Sequence, residues 1–440
     1  MPGDKPEWEA ASLERQKRMV IRDRQQPCVV IWSLGNEAGF GNTFMKMAAI
    51  TKEIDHEKRI VHYADMNLAG DIDSQTYPPI KWLKQHLHGK AKRKGERGEQ
   101  TFEHQHGPYP SGRPFIMNEY SHAMGNSLGN FYDYWELIHA NDMLAGGFIW
   151  DWIDQALYRD IDDPSKGFVY GGDFGDTPTD GNFCVNGIIG ADLKPHPHYF
   201  EMKKVYQSIW MKMVKRKPLT IEISNHSNYT NSGVYEFSYQ IEENGEVIEN
   251  KKLEACEIEP LQKTTLVFED IKFNEDKEAH IKFQFALEGN KSWAEKGFIV
   301  AWEQFQLNEK SVDFFVRKNS QEKFSLKNQS DKVLIKNRDF EVIFNKSNGF
   351  LCELNNGINE IIKSPVKFNF WRAETDNDGG WKVPQKLGVW KNENDNFELT
   401  DFETKTDEDE ILVEANYRFN ETKTEAKINY RILPVGQIEV

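Results

Sequence analysis

The sequence predicts a multidomain chain, α/β in its first half and all-β in its second. Two textures carry that reading. Up to about residue 205 short apolar runs alternate with helical patterns, and beyond about residue 207 strand-like alternation is broken by Asn, Gly and Ser turns. A third observation is length: 440 residues exceed one ordinary core and call for two to four domains.

The elements follow in order. An opening loop leads into an amphipathic helix within "MPGDKPEWEAASLERQKRMVIRDRQQP". Then come a strand "PCVVIWSLG" (27–35), a helix "NTFMKMAAITKEID" (42–55) and a strand "RIVHYAD" (59–65). After these stand a short "DIDSQTY" (71–77), a helix "IKWLKQHL", a strand "RPFIMNEY", a helix "LGNFYDYWELIHA" (128–140) and a strand "AGGFIWDWIDQ" (145–155). Apolar strands alternating with helices imply βα units and a parallel sheet buried on both faces. The region 208–307 is sized like an immunoglobulin-like β-sandwich, with Glu243-Asn244-Gly245 as a hairpin turn. From 308 to 440 short strands such as "FEVIFN" and "FLCELNN" begin a further β domain. The abrupt start on a central strand and the end within a strand pattern lead us to expect a piece of a longer protein.

Composition narrows the function. A net charge of −15 argues against a nucleic-acid partner, which needs a basic face. The basic cluster "KAKRKGER" (Lys90 to Arg97), flanked by Gly89 and Gly98, reads as a solvated loop. No apolar run reaches membrane-spanning length, so no membrane role is expected, and no signal peptide opens the chain. The compartment stays open. Cys28, Cys184, Cys256 and Cys352 have neither zinc nor disulfide-framework spacing, and Cys28, inside the first apolar run, reads as a small core residue. His104/His106 and His196/His198 have the look of ligand pairs, but the second alternates with Pro195 and Pro197 in a rigid turn and neither is read as a metal site. There is no Gly-x-Gly-x-x-Gly fingerprint and no Walker loop.

The chemistry lies at two strand ends. "VVIWSLGNEAGFG" runs from β-branched residues into Asn36 and Glu37, and "RPFIMNEYSHAMGNS" runs from apolar residues into Asn118 and Glu119. Taken singly, each glutamate reads as a salt-bridged strand end. The 82 residues from Glu37 to Glu119 make three βα units of about 27 each, near the roughly 31 of a (β/α)₈ barrel, which fits both carboxylates on the C-terminal rim of one barrel. Two glutamates across a cleft suit glycoside hydrolysis, one donating a proton and the other attacking the anomeric carbon. Repulsion and partial burial separate their pKa values.

The blocks "IWSLGNEAGFG", "NEYSHAMGNSLGNF", "GGFIWDWIDQAL", "YGGDFGDTPTDGNFCVNGI" and "PHPHYFEMKKVYQ" together resemble the β-galactosidases of glycoside hydrolase family 2, of the large bacterial multidomain type. "FWRAETDNDGG" (370–380) is similar to the family's last large β domain. The resemblance implies a partial TIM barrel (strands 4–8) over 1–207, an immunoglobulin-like β-sandwich over 208–307, and a truncated large β-sandwich over 308–440. It implies a retaining β-galactosidase acting on lactose-like terminal β-galactosides. The alternatives are another family 2 activity, a β-glucuronidase or β-mannosidase, or an inactive carbohydrate-binding fragment.

By the same resemblance Glu37 is the acid/base and a magnesium ligand, and Glu119 is the nucleophile. Asn36 contacts the sugar 2-hydroxyl, Tyr77 stands beside the nucleophile, and His122 binds galactose. Trp150, which its strand alone reads as core, becomes a wall for an apolar sugar face. Phe183, through its carbonyl, and Asn186 ligate sodium. The family's first domains and first three barrel strands have no counterpart in this chain, so the other magnesium ligands would precede Met1. Strands without those neighbours leave unpaired edges and an unclosed barrel, and the chain alone is expected to be a poor enzyme. A homo-oligomer is expected of the full-length form.

Overall fold

The computed structural model describes residues 3, 5–39, 41–64, 67–91, 112–308, 325–407 and 410–440. His104, His106 and residues 92–97 of the basic cluster lie outside them. The chain divides into two compact units, Met1–Asn308 and Glu309–Val440.

The first unit opens with α1 (Pro6–Asp23), which Pro6 starts at a position where its missing N–H costs nothing. β1 (Ile31–Ser33), α2 (Asn42–Ile54) and β2 (Ile60–His62) follow, and β1 and β2 pair in parallel. Trp32 Nε1 donates to the buried Asp55 carboxylate at 3.0 Å, tying the strand to the end of α2. β3 (Asp73–Thr76), α3 (Ile80–Leu87), β4 (Phe115–Tyr120), α4 (Phe131–His139) and β5 (Leu144–Ile149) come next. β3, β4 and β5 form one parallel three-stranded sheet. Among the described residues these are five parallel strands in βα order, the count the sequence implies.

β2 and β3 do not share a ladder. Asp71 bridges the seam instead: its carboxylate accepts the Val61 amide at 2.9 Å and its own amide donates to the Val61 carbonyl at 2.7 Å. One side chain thus supplies the acceptor a neighbouring strand would otherwise bring.

Burial departs from expectation at the outer strands. β3 and β4 are covered on both faces, but Val30 and Phe148 are exposed. The strand predicted over 27–35 shrinks to three residues, and Cys28 is exposed rather than in the core. It lies in the turn that follows α1, where Val29 N–H reaches back to the Gln26 carbonyl, so apolar composition is not backed there by a pairing strand.

Beyond β5, the two-residue strands β6 (Leu157–Tyr158) and β7 (Phe168–Val169) make a small hairpin, and α5 (Pro197–Val205) leads to the sandwich. There β8 (Ile209–Lys215), β9 (Leu219–Asn225) and β12 (Lys263–Phe268) form one antiparallel sheet. β10 (Tyr235–Glu243), β11 (Glu246–Lys252), β13 (Ala279–Leu287) and β14 (Ile299–Gln306) form the other. Strict alternation along β13 buries Ile281, Phe283 and Phe285 against Ile221 and Ile223 of the facing sheet. Asn244 and Gly245 both have positive φ, as the expected two-residue hairpin requires.

The second unit packs two antiparallel four-stranded sheets. β15 (Ser325–Asn328), β16 (Lys332–Lys336), β17 (Glu341–Asn345) and β18 (Leu351–Asn355) make the first. β19 (Phe397–Asp407), β20 (Glu410–Phe419), β21 (Glu425–Ile432) and β22 (Ile438–Glu439) make the second. Val333, Ile335, Val342 and Phe344 from one meet Ile411, Val413 and Tyr430 from the other.

Candidate active site

The ends of the barrel strands converge on one carboxyl group. Glu119, on β4, is only 8% exposed. Its side chain is hydrogen-bonded to the side chains of Tyr77, just past β3, and Asn36, just past β1. Burial pushes the Glu119 pKa above the ordinary carboxylate value, the bonds from Tyr77 and Asn36 pull it back, and the neighbouring charge of Glu37 raises it again. Glu37 itself is exposed. Glu37, Tyr77 and Ser121 all take positive φ (45°, 45° and 48°), a strained choice for residues with a Cβ. Each lies where a strand gives way to the rim, which is where such strain collects at functional sites.

A ring wall stands beside these groups. The His122 ring meets Tyr77 edge-on at 5.9 Å and stacks on Phe183 at 5.6 Å. Burial holds the His122 pKa below the usual imidazole value, which favours the neutral ring. Trp150 is 38% exposed and not a core residue. Its amide donates to the Tyr120 carbonyl at 3.3 Å and its carbonyl accepts the Ala123 amide at 2.7 Å, so it is pinned to the loop that carries His122.

Asn186 is 2% exposed, with Nδ2 donating to the Phe183 carbonyl at 3.1 Å and Oδ1 buried without a hydrogen-bond partner. Asn186 Oδ1 is the kind of oxygen donor that a hard cation such as sodium takes, and the Phe183 carbonyl, which faces the nitrogen of the same amide, is a second, so the donor types fit that ion. Magnesium fares differently. Among the described residues no group of three or more His, Cys, Asp or Glu could hold a metal ion, so Glu37 alone does not constitute a magnesium site.

The sequence reading missed Asp154. It is buried, its Oδ1 accepts the Gly187 amide at 2.7 Å, and its Oδ2 pairs with His196 Nε2 at 2.7 Å. His198 Nε2 lies 2.9 Å from the Gly187 carbonyl. These bonds zip the segment carrying Phe183 and Asn186 onto the exit of β5, where Asp151 N–H also reaches the Asn186 carbonyl at 2.8 Å. The His-Pro-His pattern was a signal, but its partner stands 42 residues away.

Family models match nearly the whole length. Residues 1–211 match the TIM barrel domain of glycosyl hydrolases family 2, 221–308 match domain 4 of beta-galactosidase, and 336–440 match the beta galactosidase small chain. The chain belongs to glycoside hydrolase family 2. Curated relatives of this family 2 chain include a beta-galactosidase of Priestia megaterium, 32% identical over 448 residues, covering 100% of this chain and 41% of that protein. One from Clostridium acetobutylicum is 30% identical, covering 100% of this chain and 47% of its own length. Beta-galactosidase 2 of Enterobacter cloacae is 32% identical over 387 residues, 86% of this chain and 36% of that one. The family 2 chain thus spans less than half the length of these relatives.

Proposed function

We propose that this chain carries the reaction centre of a retaining β-galactosidase. The observation that supports it is the buried Glu119 carboxyl, hydrogen-bonded by Tyr77 and Asn36 with Glu37 beside it. In this reading the ionised Glu119 attacks the anomeric carbon while Glu37 gives its proton to the departing glycosidic oxygen. A galactosyl ester on Glu119 results. Glu37, now a carboxylate, takes a proton from water as that water attacks the same carbon, releasing galactose with its configuration retained.

His122 and Trp150 form the sugar's flanks, and Asn36 offers its amide to the 2-hydroxyl. Sodium, held by the Phe183 carbonyl and Asn186 Oδ1, would supply a fixed positive charge to a sugar hydroxyl. No step runs through magnesium. The full-length protein is read as a homo-oligomer, with domain limits in this chain at 1–207, 208–307 and 308–440.

The test is turnover of nitrophenyl β-galactoside in sodium and magnesium, beside the β-glucuronide and β-mannoside, with trapping by a 2-deoxy-2-fluoro galactoside. The expected result is galactoside preference and a covalent adduct on Glu119. Preference for another glycoside, or an adduct on another residue, overturns the reading.

A further inference from the structure

The alternation of β4 reverses at the residue before Glu119. Phe115 and Met117 belong to the core packed under the helices, and strict period-two alternation would send residue 119 there too. Instead Tyr120 occupies that core, and the Glu119 carboxyl meets Tyr77 and Asn36. The ladders on both sides record the cause. Against β3, Gln75 pairs with Met117 and the next residue, Thr76, pairs with Glu119. Against β5, Gly147 pairs with Met117 and Ile149 pairs with Tyr120. On each side β4 spends one residue more than its neighbour, which is a β-bulge.

Asn118 is the residue passed over in both ladders. Its Nδ2 donates to Thr76 Oγ1 at 2.7 Å, joining the bulge to the strand that leads into Tyr77. Its Oδ1 is buried with no hydrogen-bond partner. An orphaned buried acceptor is destabilising, so a strand serving packing alone would do better with an apolar residue here. Gly147 completes the device, since a Cβ at that position would stand 2.9 Å from Met117 Cβ and 3.0 Å from Tyr120 Cδ1.

We propose that Asn118 and Thr76 form a positioning clamp: their side-chain bond holds the bulge that turns Glu119 away from the helix-packed core and toward Tyr77 and Asn36. The proposal rests on Glu119 being the nucleophile. The clamp touches no substrate. It fixes the angle at which the carboxylate meets the anomeric carbon, and small misplacements of such a group are costly in rate.

The test compares Asn118→Ala, Thr76→Val and Thr76→Ser in the whole chain by two readouts. The first is hydrogen exchange of the Tyr77 amide, which donates to the Glu119 carbonyl. The second is kcat and KM on nitrophenyl β-galactoside. Asn118→Ala and Thr76→Val should each speed that amide's exchange about tenfold and lower kcat about tenfold or more, with KM held within about twofold. Thr76→Ser, which keeps the acceptor oxygen, should recover most of what Thr76→Val loses, and the double variant should lose no more than either single one.

Unchanged kcat, or kcat and KM moving together, or exchange rising evenly along β3, β4 and β5, overturns the clamp. If the wild-type chain has no turnover, it is the proposed activity of this chain that fails. The Tyr77 exchange comparison still decides the clamp, an unchanged rate overturning it.

Discussion

Tyr77 holds Glu119 twice: its backbone amide donates to the Glu119 carbonyl at 2.8 Å, and its side chain is hydrogen-bonded to the Glu119 carboxyl. The first bond fixes the strand end and the second lowers the carboxyl's pKa against the pull of burial. Tyr77→Phe keeps the first and removes the second. The acid limb of kcat/KM should then move to higher pH, and kcat should fall by about 10- to 100-fold, the worth of a hydrogen bond to a charged group. A pH–rate profile of the variant beside wild type checks both.

Glu37→Gln should move the same limb the other way. The Glu37 charge raises the Glu119 pKa, and a neutral amide removes that contribution. With an activated aryl galactoside, whose leaving group needs little protonation, the residual rate should persist to lower pH than in wild type. A limb that stays in place means the two carboxyls are not coupled.

Glu119→Gln should abolish turnover and yet stabilise the fold at neutral pH. The folded pKa of Glu119 lies above its unfolded value, so the native state holds this proton more tightly than the unfolded chain. Its stabilising contribution is present in acid and is lost as pH rises from near 4.5 through the raised value. Thermal melts at pH 7 and pH 4 should show the variant's advantage at the former and its disappearance at the latter.

A half-buried imidazole pair makes the contact between the barrel strands and the first sandwich acid-sensitive. His139, at the end of α4, stacks on His226 at 3.7 Å, with Trp135 and Trp210 also against it. Burial, then the charge of His226, pushes His139 down to about 4. Such a depressed folded value gives stability above pH 6.5 that is lost as pH falls toward 4. The expected loss is about 2 kcal/mol. His139→Phe should flatten that part of the urea-midpoint profile, whereas an unchanged profile means the pair is not sensed by folding.

Gly187→Ala should cost about 3 kcal/mol or more, because the added methyl would meet backbone rather than movable side chains. Its Cβ would stand 2.2 Å from Asp154 N and 2.5 Å from the Ile189 carbonyl oxygen. Asp154→Ala should cost about 2–3 kcal/mol, leaving the Gly187 amide without its acceptor. Urea titration measures both, and near-wild-type midpoints would show that this loop is not held as described.

Chain order and local pattern already determined much of this protein. Ile31 to Glu37 and Phe115 to Glu119 display apolar runs ending in carboxylates, and alternation along Ala279–Leu287 displays a sandwich strand, because period and strand-end chemistry are local properties. Resemblance to family blocks pointed to Asn36, Tyr77 and His122, and the fold brings Asn36 and Tyr77 to Glu119 and His122 to Tyr77. Tertiary structure alone decided that Cys28 is exposed and that Trp150 is half-exposed, since burial depends on which strand lies alongside. It also decided that Asp71 bridges β2 to β3, that Asp154 finds His196, and that β4 bulges at Asn118. Each of these is a pairing between distant residues or a register between strands, and neither exists until the chain has folded back upon itself.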